Sequence, residues 1–141
     1  MDRIFEFAGN HTLLVFALVT SFLLVIFTEL RRKATGMMAV APTDAVKLIN
    51  NDAVVIDTRS AESFSRGHIV GARNIPMDEF EGHLDKLARV KGKPVVAVCD
   101  SGITSSKAVK TLRNAVFESV YNLKGGILAW QQADLPLSRG K

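Results

Sequence analysis

The chain contains a single cysteine, Cys99, which stands where the apolar run Val95-Val96-Ala97-Val98 meets the polar turn Asp100-Ser101-Gly102. A thiol at that point has two possible uses. It packs as the last core residue of a strand, because free cysteine buries readily as a small hydrophobe. Alternatively, the strand delivers a nucleophilic sulfur to a loop whose backbone N–H groups, with the positive end of the following helix, cradle an anion such as a thiolate. The loop that would do this runs Asp100-Ser101-Gly102-Ile103-Thr104-Ser105. Gly102 allows a tight turn with no side chain inside the cradle, and Ser101, Thr104 and Ser105 bring hydroxyl donors. One cysteine excludes an intrachain disulfide and a multi-cysteine metal site, and a lone thiol suits a reducing compartment. His11 and His83 stand alone, so the sequence implies no metal. It implies no organic cofactor either, since Gly125-Gly126 lacks the flanking pattern of a phosphate-binding turn.

The elements around the cysteine decide between the two uses. Met38-Ala39-Val40 is a short extended run, and Pro42 opens a helix on which Ala45, Val46, Leu48 and Ile49 recur at helical spacing. Ala53 to Ile56 is a continuous apolar run ending in Asp57, as expected of a strand buried on both faces. Ser60 caps a short helix that Gly67 ends, and Asn74-Ile75-Pro76 is a brief extended piece. Phe80, Leu84, Leu87 and Ala88 predict another helix, stopped by Gly92 and Pro94. After the strand Val95–Val98 come a helix over 105–115, a strand over 120–123 and a last helix over 127–133 carrying Trp130. Strands alternating with helices predict an α/β fold with a parallel sheet covered by helices on both faces. Ligands of such sheets bind at the carboxyl ends of the strands. Both Cys99 and Asp57 sit at such ends, which favours chemistry over packing for the cysteine.

With 141 residues the chain holds one domain and an appendage. The net charge of +4 comes from scattered basic residues, so no nucleic-acid stripe is present. The appendage is apolar: from His11 to Thr28 there is no Asp, Glu, Lys or Arg, close to the roughly 17–25 residues a helix needs to cross a bilayer. Asp2, Arg3 and Glu6 deny it the basic start of a signal peptide. Ala39-Val40-Ala41 looks like a cleavage motif but lies beyond Arg31-Arg32-Lys33 and is followed by Pro42, so the segment reads as a permanent anchor. The basic triplet, against Arg3 alone on the other side, places the N-terminus outside and the remainder in the cytoplasm. The expected organisation is an anchor with its basic flank over residues 1–33, a linker over 34–37, a domain over 38–137 and a tail over 138–141.

Four stretches, in this order, resemble the rhodanese-like sulfurtransferase family: Val54-Val55-Ile56-Asp57-Thr58-Arg59, Gly67-His68-Ile69-Val70-Gly71-Ala72-Arg73-Asn74-Ile75-Pro76, the strand and loop from Val95 to Ser105, and Tyr121-Asn122-Leu123-Lys124-Gly125-Gly126-Ile127-Leu128-Ala129-Trp130. The resemblance implies a rhodanese-like domain behind a membrane helix. It makes Cys99 a nucleophile that takes sulfane sulfur from a donor as a persulfide and passes it to a thiol or protein acceptor. Family members active on thiosulfate often carry Arg or Lys after the cysteine and near the end of the loop. Here those positions are Asp100 and Thr104, and an anion beside the sulfur disfavours both the thiolate and a dianionic substrate. Arg73 or Lys107 would have to compensate. A related phosphatase needs Arg six residues past the cysteine, where this chain has Ser105.

Of the remaining marked residues, Asp57 and Arg59 suit a structural ion pair or loop caps beside the site, His68 suits a turn-fixing hydrogen bond, and Trp130 suits the core. Two functions follow as expectations. The first is a sulfurtransferase anchored in a bacterial inner membrane, weak with thiosulfate and surrounded by lipid over residues 11–30. The second is a weakly catalytic or non-catalytic module that binds other inner-membrane proteins.

Overall fold

The computed structural model describes residues 1–34 and 38–140, which divide into two units between residues 36 and 37. The expected linker therefore falls largely outside the described residues.

The first unit is helical: α1 (Asp2–Asn10) and α2 (Thr12–Ala34). Within α2, Thr12–Arg31 is long and apolar enough to cross a membrane and is nowhere buried. Twenty helical residues span about 30 Å, the thickness of a hydrocarbon core. Two threonine hydroxyls in this stretch are satisfied locally. Thr20 Oγ1 donates to Phe16 O at 2.8 Å and Thr28 Oγ1 to Val25 O at 2.9 Å, as an apolar surrounding requires. The break between the two helices at His11 was not foreseen in the sequence.

The second unit contains, in chain order, β1 (Met38–Val40), α3 (Pro42–Asn50), β2 (Val54–Asp57), α4 (Ala61–Arg66), β3 (His68–Ile69), β4 (Arg73–Asn74), α5 (Leu84–Leu87), β5 (Val95–Val98), α6 (Ile103–Asn114), β6 (Val120–Leu123), α7 (Gly126–Gln132) and β7 (Leu137–Ser138). Five strands form the expected parallel sheet, in the order β1-β6-β5-β2-β4. The central strand β5 is buried throughout, which explains its unbroken apolar sequence. Its side chains alternate between two cores. Val95 and Ala97 join Phe80, Leu87, Ala108, Val109, Leu112 and Phe117 on one face. Val96 and Val98 join Ala45, Ile127 and Trp130 on the other. Trp130 thus sits in the core as expected, its indole N–H donating to Pro136 O at 3.0 Å.

Three local features depart from the expectations. The helix predicted from Phe80 to Ala88 is a chain of short turns, with 3₁₀ segments at Met77–Glu79, Glu81–His83 and Ala88–Val90 flanking α5. Gly82 lies in the middle of it, where glycine disfavours a continuous helix. Phe80 and Leu87 still reach the core. A two-stranded antiparallel ribbon pairs β3 with β7, His68 opposite Ser138 and Ile69 opposite Leu137. Each half is only two residues long, too short to show a period. The expected boundary between domain and tail falls inside β7, and Gly140 N–H donates to Ser65 O at 2.9 Å. Finally, α6 begins at Ile103 instead of Ser105, so the loop after Cys99 is shorter and its last residues are helical.

Candidate active site

Three strands end side by side at the candidate site: β2 in Asp57, β5 just before Cys99, and β6 just before Lys124-Gly125. Cys99 is 4% exposed. Its Sγ accepts the backbone N–H of Gly102 at 3.0 Å and lies 3.2 Å from Ser105 Oγ. Gly102 adopts φ +94°, a conformation that turns its N–H back toward the sulfur and that residues with a Cβ rarely reach. The bonds to sulfur thus come from one backbone N–H and one hydroxyl, where the sequence suggested several N–H groups. Ser101, Ile103 and Thr104 are exposed.

Ser105 is fully buried, and its hydroxyl is shared. Ser105 Oγ also lies 2.5 Å from Asn122 Oδ1, while Asn122 Nδ2 donates to Gly102 O at 2.9 Å. The second bond fixes which way the amide faces, so Oδ1 can only accept. One hydroxyl proton cannot serve both acceptors. With a thiol, Ser105 donates to Asn122 and its oxygen is free to accept S–H. With an anionic sulfur, the hydroxyl swings to Sγ as a charge-assisted bond. Asn122 was not marked as a site residue in the sequence. It occupies an ordinary strand position, and only the β5–β6 pairing, with Ala97 opposite Asn122, brings it to the loop.

The paired glycines hold the loop from below. At the start of α7, Ile127 N–H donates to Cys99 O at 2.9 Å and Leu128 N–H to Asp100 O at 3.2 Å. Gly126 has φ +60°, and a Cβ there would overlap the carbonyls of both Cys99 and Asp100. The approach of these two backbones is possible only with glycine.

On the other side, Asp57 and Arg59 are occupied by each other. The Asp57 carboxylate, 1% exposed, accepts the Arg59 backbone N–H at 2.9 Å, Nε at 3.0 Å and Nη2 at 2.8 Å. Nη2 also donates to Gly67 O at 2.7 Å. Such a buried pair persists because its polar atoms are satisfied. The remaining nitrogen, Arg59 Nη1, stands 3.8 Å from Asp100 Oδ1, whose side chain is 74% exposed. The guanidinium that meets the loop is thus already paired twice. Arg73 and Lys107 are exposed on β4 and α6; β4 lies two strands from β5, about 10 Å across the sheet. His68 is buried, with Nδ1 2.8 Å from Phe64 O and its ring stacked on Phe64 at 3.8 Å. It joins α4 to β3, away from the sulfur. A cleft of about 360 Å³ lined by Arg59, Ser63, Arg66, Gly67, Asp100 and Gln131 opens beside the loop.

Residues 41–133 match the family model of the rhodanese-like domain. The uncharacterized protein YibN of Escherichia coli is 34% identical over the full length of both chains. A thiosulfate sulfurtransferase, GlpE of Shewanella oneidensis, is 37% identical over 57% of this chain and 77% of its own. Among solved structures, a rhodanese-related protein from Thermoplasma volcanium superposes with a TM-score of 0.66, at 24% identity, over 72% of this chain and 97% of its own.

Proposed function

Because this chain belongs to the rhodanese-like family, we propose that it is a sulfurtransferase carrying sulfane sulfur as a persulfide on Cys99, from a donor to a thiol or protein acceptor. The observation that carries this reading is the pair of donors aimed at Cys99 Sγ, the N–H of Gly102 and the hydroxyl of Ser105. The transfer balances without a redox partner. The Cys99 thiolate attacks the sulfane sulfur of the donor and a new S–S bond forms. The bond to the rest of the donor breaks, and the electron pair leaves with that remainder. An acceptor thiolate then attacks the outer sulfur, and the pair returns to Cys99. Ser105 and Gly102 stabilise the anionic sulfur at each end of the cycle. Thiosulfate is a poor donor here, since Asp100 adds negative charge at the mouth and Arg59 is already held by Asp57 and Asp100.

The domain works on the cytoplasmic side of a bacterial inner membrane. α2 spans it, with the N-terminus outside; the length and apolarity of Thr12–Arg31 and the triplet Arg31-Arg32-Lys33 support this arrangement. Protease added outside spheroplasts should leave the domain intact, and its digestion there would refute the orientation. For the chemistry, the test is intact mass after incubation with sulfur donors. The reading requires a gain of one sulfur that cyanide removes and that Cys99→Ser abolishes.

A second reading, a weakly catalytic or non-catalytic module for inner-membrane protein partners, is favoured by Asp100 together with Ile103 and Leu128 beside the loop, 75% and 55% exposed. A Cys99 left unmodified by every donor tried would support it.

A further inference from the structure

We infer that α1 is an interfacial helix that lies flat on the outer leaflet, with its apolar face toward the acyl chains and its charged face in water; this rests on the proposal that α2 spans the membrane. Three observations carry it. First, α1 is separated from α2. His11 leaves helical geometry at φ −128°, ψ 44°, and α2 starts afresh at Thr12, whose hydroxyl donates to Gly9 O at 3.1 Å. A segment that merely continued the span would have no such break. Second, the residues of α1 are sorted by face. At about 100° per residue, Ile4, Phe5, Phe7 and Ala8 share one side, while Asp2, Arg3, Glu6 and Asn10 share the other. The apolar side is bare: Ile4 is 72%, Phe5 74% and Phe7 59% exposed. Third, the connection is short. A single residue, His11, joins α1 to a helix whose next residues are continuously apolar. Once α2 enters the bilayer, the C-terminal end of α1 is held within a few ångströms of the headgroups, where an amphipathic helix buries its apolar face.

The partner chemistry follows from the charges. The side chains of α1 carry one positive charge (Arg3) and two negative ones (Asp2 and Glu6). It therefore suits a zwitterionic surface and gains nothing from anionic lipid, unlike the basic helices that bind by charge. Lying flat, it would fix the level at which the span begins and oppose its sliding inward.

The test uses the full chain carrying Cys99→Ser, with a single new thiol at Ala8→Cys or Glu6→Cys. These positions lie on opposite sides of α1. Each thiol is labelled with an environment-sensitive fluorophore, and the chain is reconstituted in phosphatidylcholine vesicles. Flotation with the vesicles tests the anchor itself. Among floated chains, the probe at residue 8 should be quenched about twofold or more better by lipid carrying a shallow nitroxide than by lipid carrying a deep one. The probe at residue 6 should be quenched by aqueous iodide, and neither should change when phosphatidylglycerol is added. Equal iodide quenching at both positions would overturn the inference, as would deep quenching at both, or shielding of residue 8 from lipid and water alike.

Discussion

Replacing Ser105 with alanine tests the shared hydroxyl at the sulfur. The change removes one oxygen from a residue with no solvent exposure and has two separable effects. Asn122 Oδ1, buried and 2.5 Å from the lost oxygen, is left without its donor. An unmet buried acceptor costs about 1–3 kcal/mol, which lowers the melting temperature of a domain of this size by roughly 5–20 °C. The second effect falls on Cys99. A hydrogen bond to a charged group contributes about 1.5–3 kcal/mol. The hydroxyl gives up Asn122 Oδ1, about 1–3 kcal/mol, when it swings to an anionic Sγ, so only the difference, about 1 kcal/mol, favours the anion. The less stabilised thiolate is intrinsically more nucleophilic, recovering about 0.4–0.5 of that change in rate. The net expectation is alkylation of Cys99 by iodoacetamide at neutral pH that is about two- to threefold slower than in the parent chain. The assay is the rate of mass gain under pseudo-first-order conditions, with a melt of the same sample. A lowered melt with an unchanged alkylation rate would refute the mechanism, because the hydroxyl would then serve Asn122 alone.

Three further substitutions probe other parts of the structure. Asp100→Arg reverses an exposed charge beside the sulfur, so thiosulfate:cyanide turnover should rise a few-fold, more at low than at high salt, with stability within about 0.5 kcal/mol of the parent; a fall in turnover would point instead to the loss of the contact with Arg59. Gly126→Ala forces a Cβ against the Cys99 and Asp100 carbonyls at a positive φ that alone costs about 1–2 kcal/mol. It should lower the melt by at least about 4 °C and abolish persulfide formation, and a normal melt with normal loading would contradict the close approach. Val116 ends α6 at φ +66°, in a Schellman turn where Val116 N–H donates to Arg113 O and Phe117 N–H to Leu112 O. A β-branched residue is a poor choice there, and its side chain is 77% exposed. Val116→Asn should therefore raise the melt by about 4 °C, corresponding to roughly 1 kcal/mol; no rise would show the turn to be unstrained.

What was legible in the sequence was what depends on neighbours along the chain. The buried runs Val54–Ile56 and Val95–Val98 declare themselves because a strand covered on both faces has no polar position. Ser60 and Gly67 mark α4 because a cap bonds within its own turn: Ser60 Oγ accepts Ser63 N–H at 3.2 Å. The position of Cys99 follows from the strand before it. What was not legible depends on the sheet order. Asn122 meets the loop only because β6 lies beside β5, and Gly126 must be glycine only because α7 passes over Cys99. Arg73 looked like a cation for the site, but its strand pairs on the far side of β2. The separation of α1 from α2 turns on the dihedrals of His11, which no hydrophobic pattern reports.

The pairing of β1 with β6 and of β3 with β7 has a consequence for biosynthesis. Chains emerge N-terminus first, and domains generally fold as units. The first strand of this domain, Met38–Val40, finds its partner only when Val120–Leu123 has been made, and His68–Ile69 waits for Leu137–Ser138. The turn of α7 that supports the Cys99 carbonyl is also translated after the cysteine. Such distant pairings delay folding, so a ribosome still working on the last third of the message holds a chain whose apolar N-terminal segment has long since emerged and whose thiol has no cradle. The support of the Cys99 loop thus exists only once α7 has been made, and a chain ending before Gly126 would lack the N–H groups that hold the carbonyls of Cys99 and Asp100.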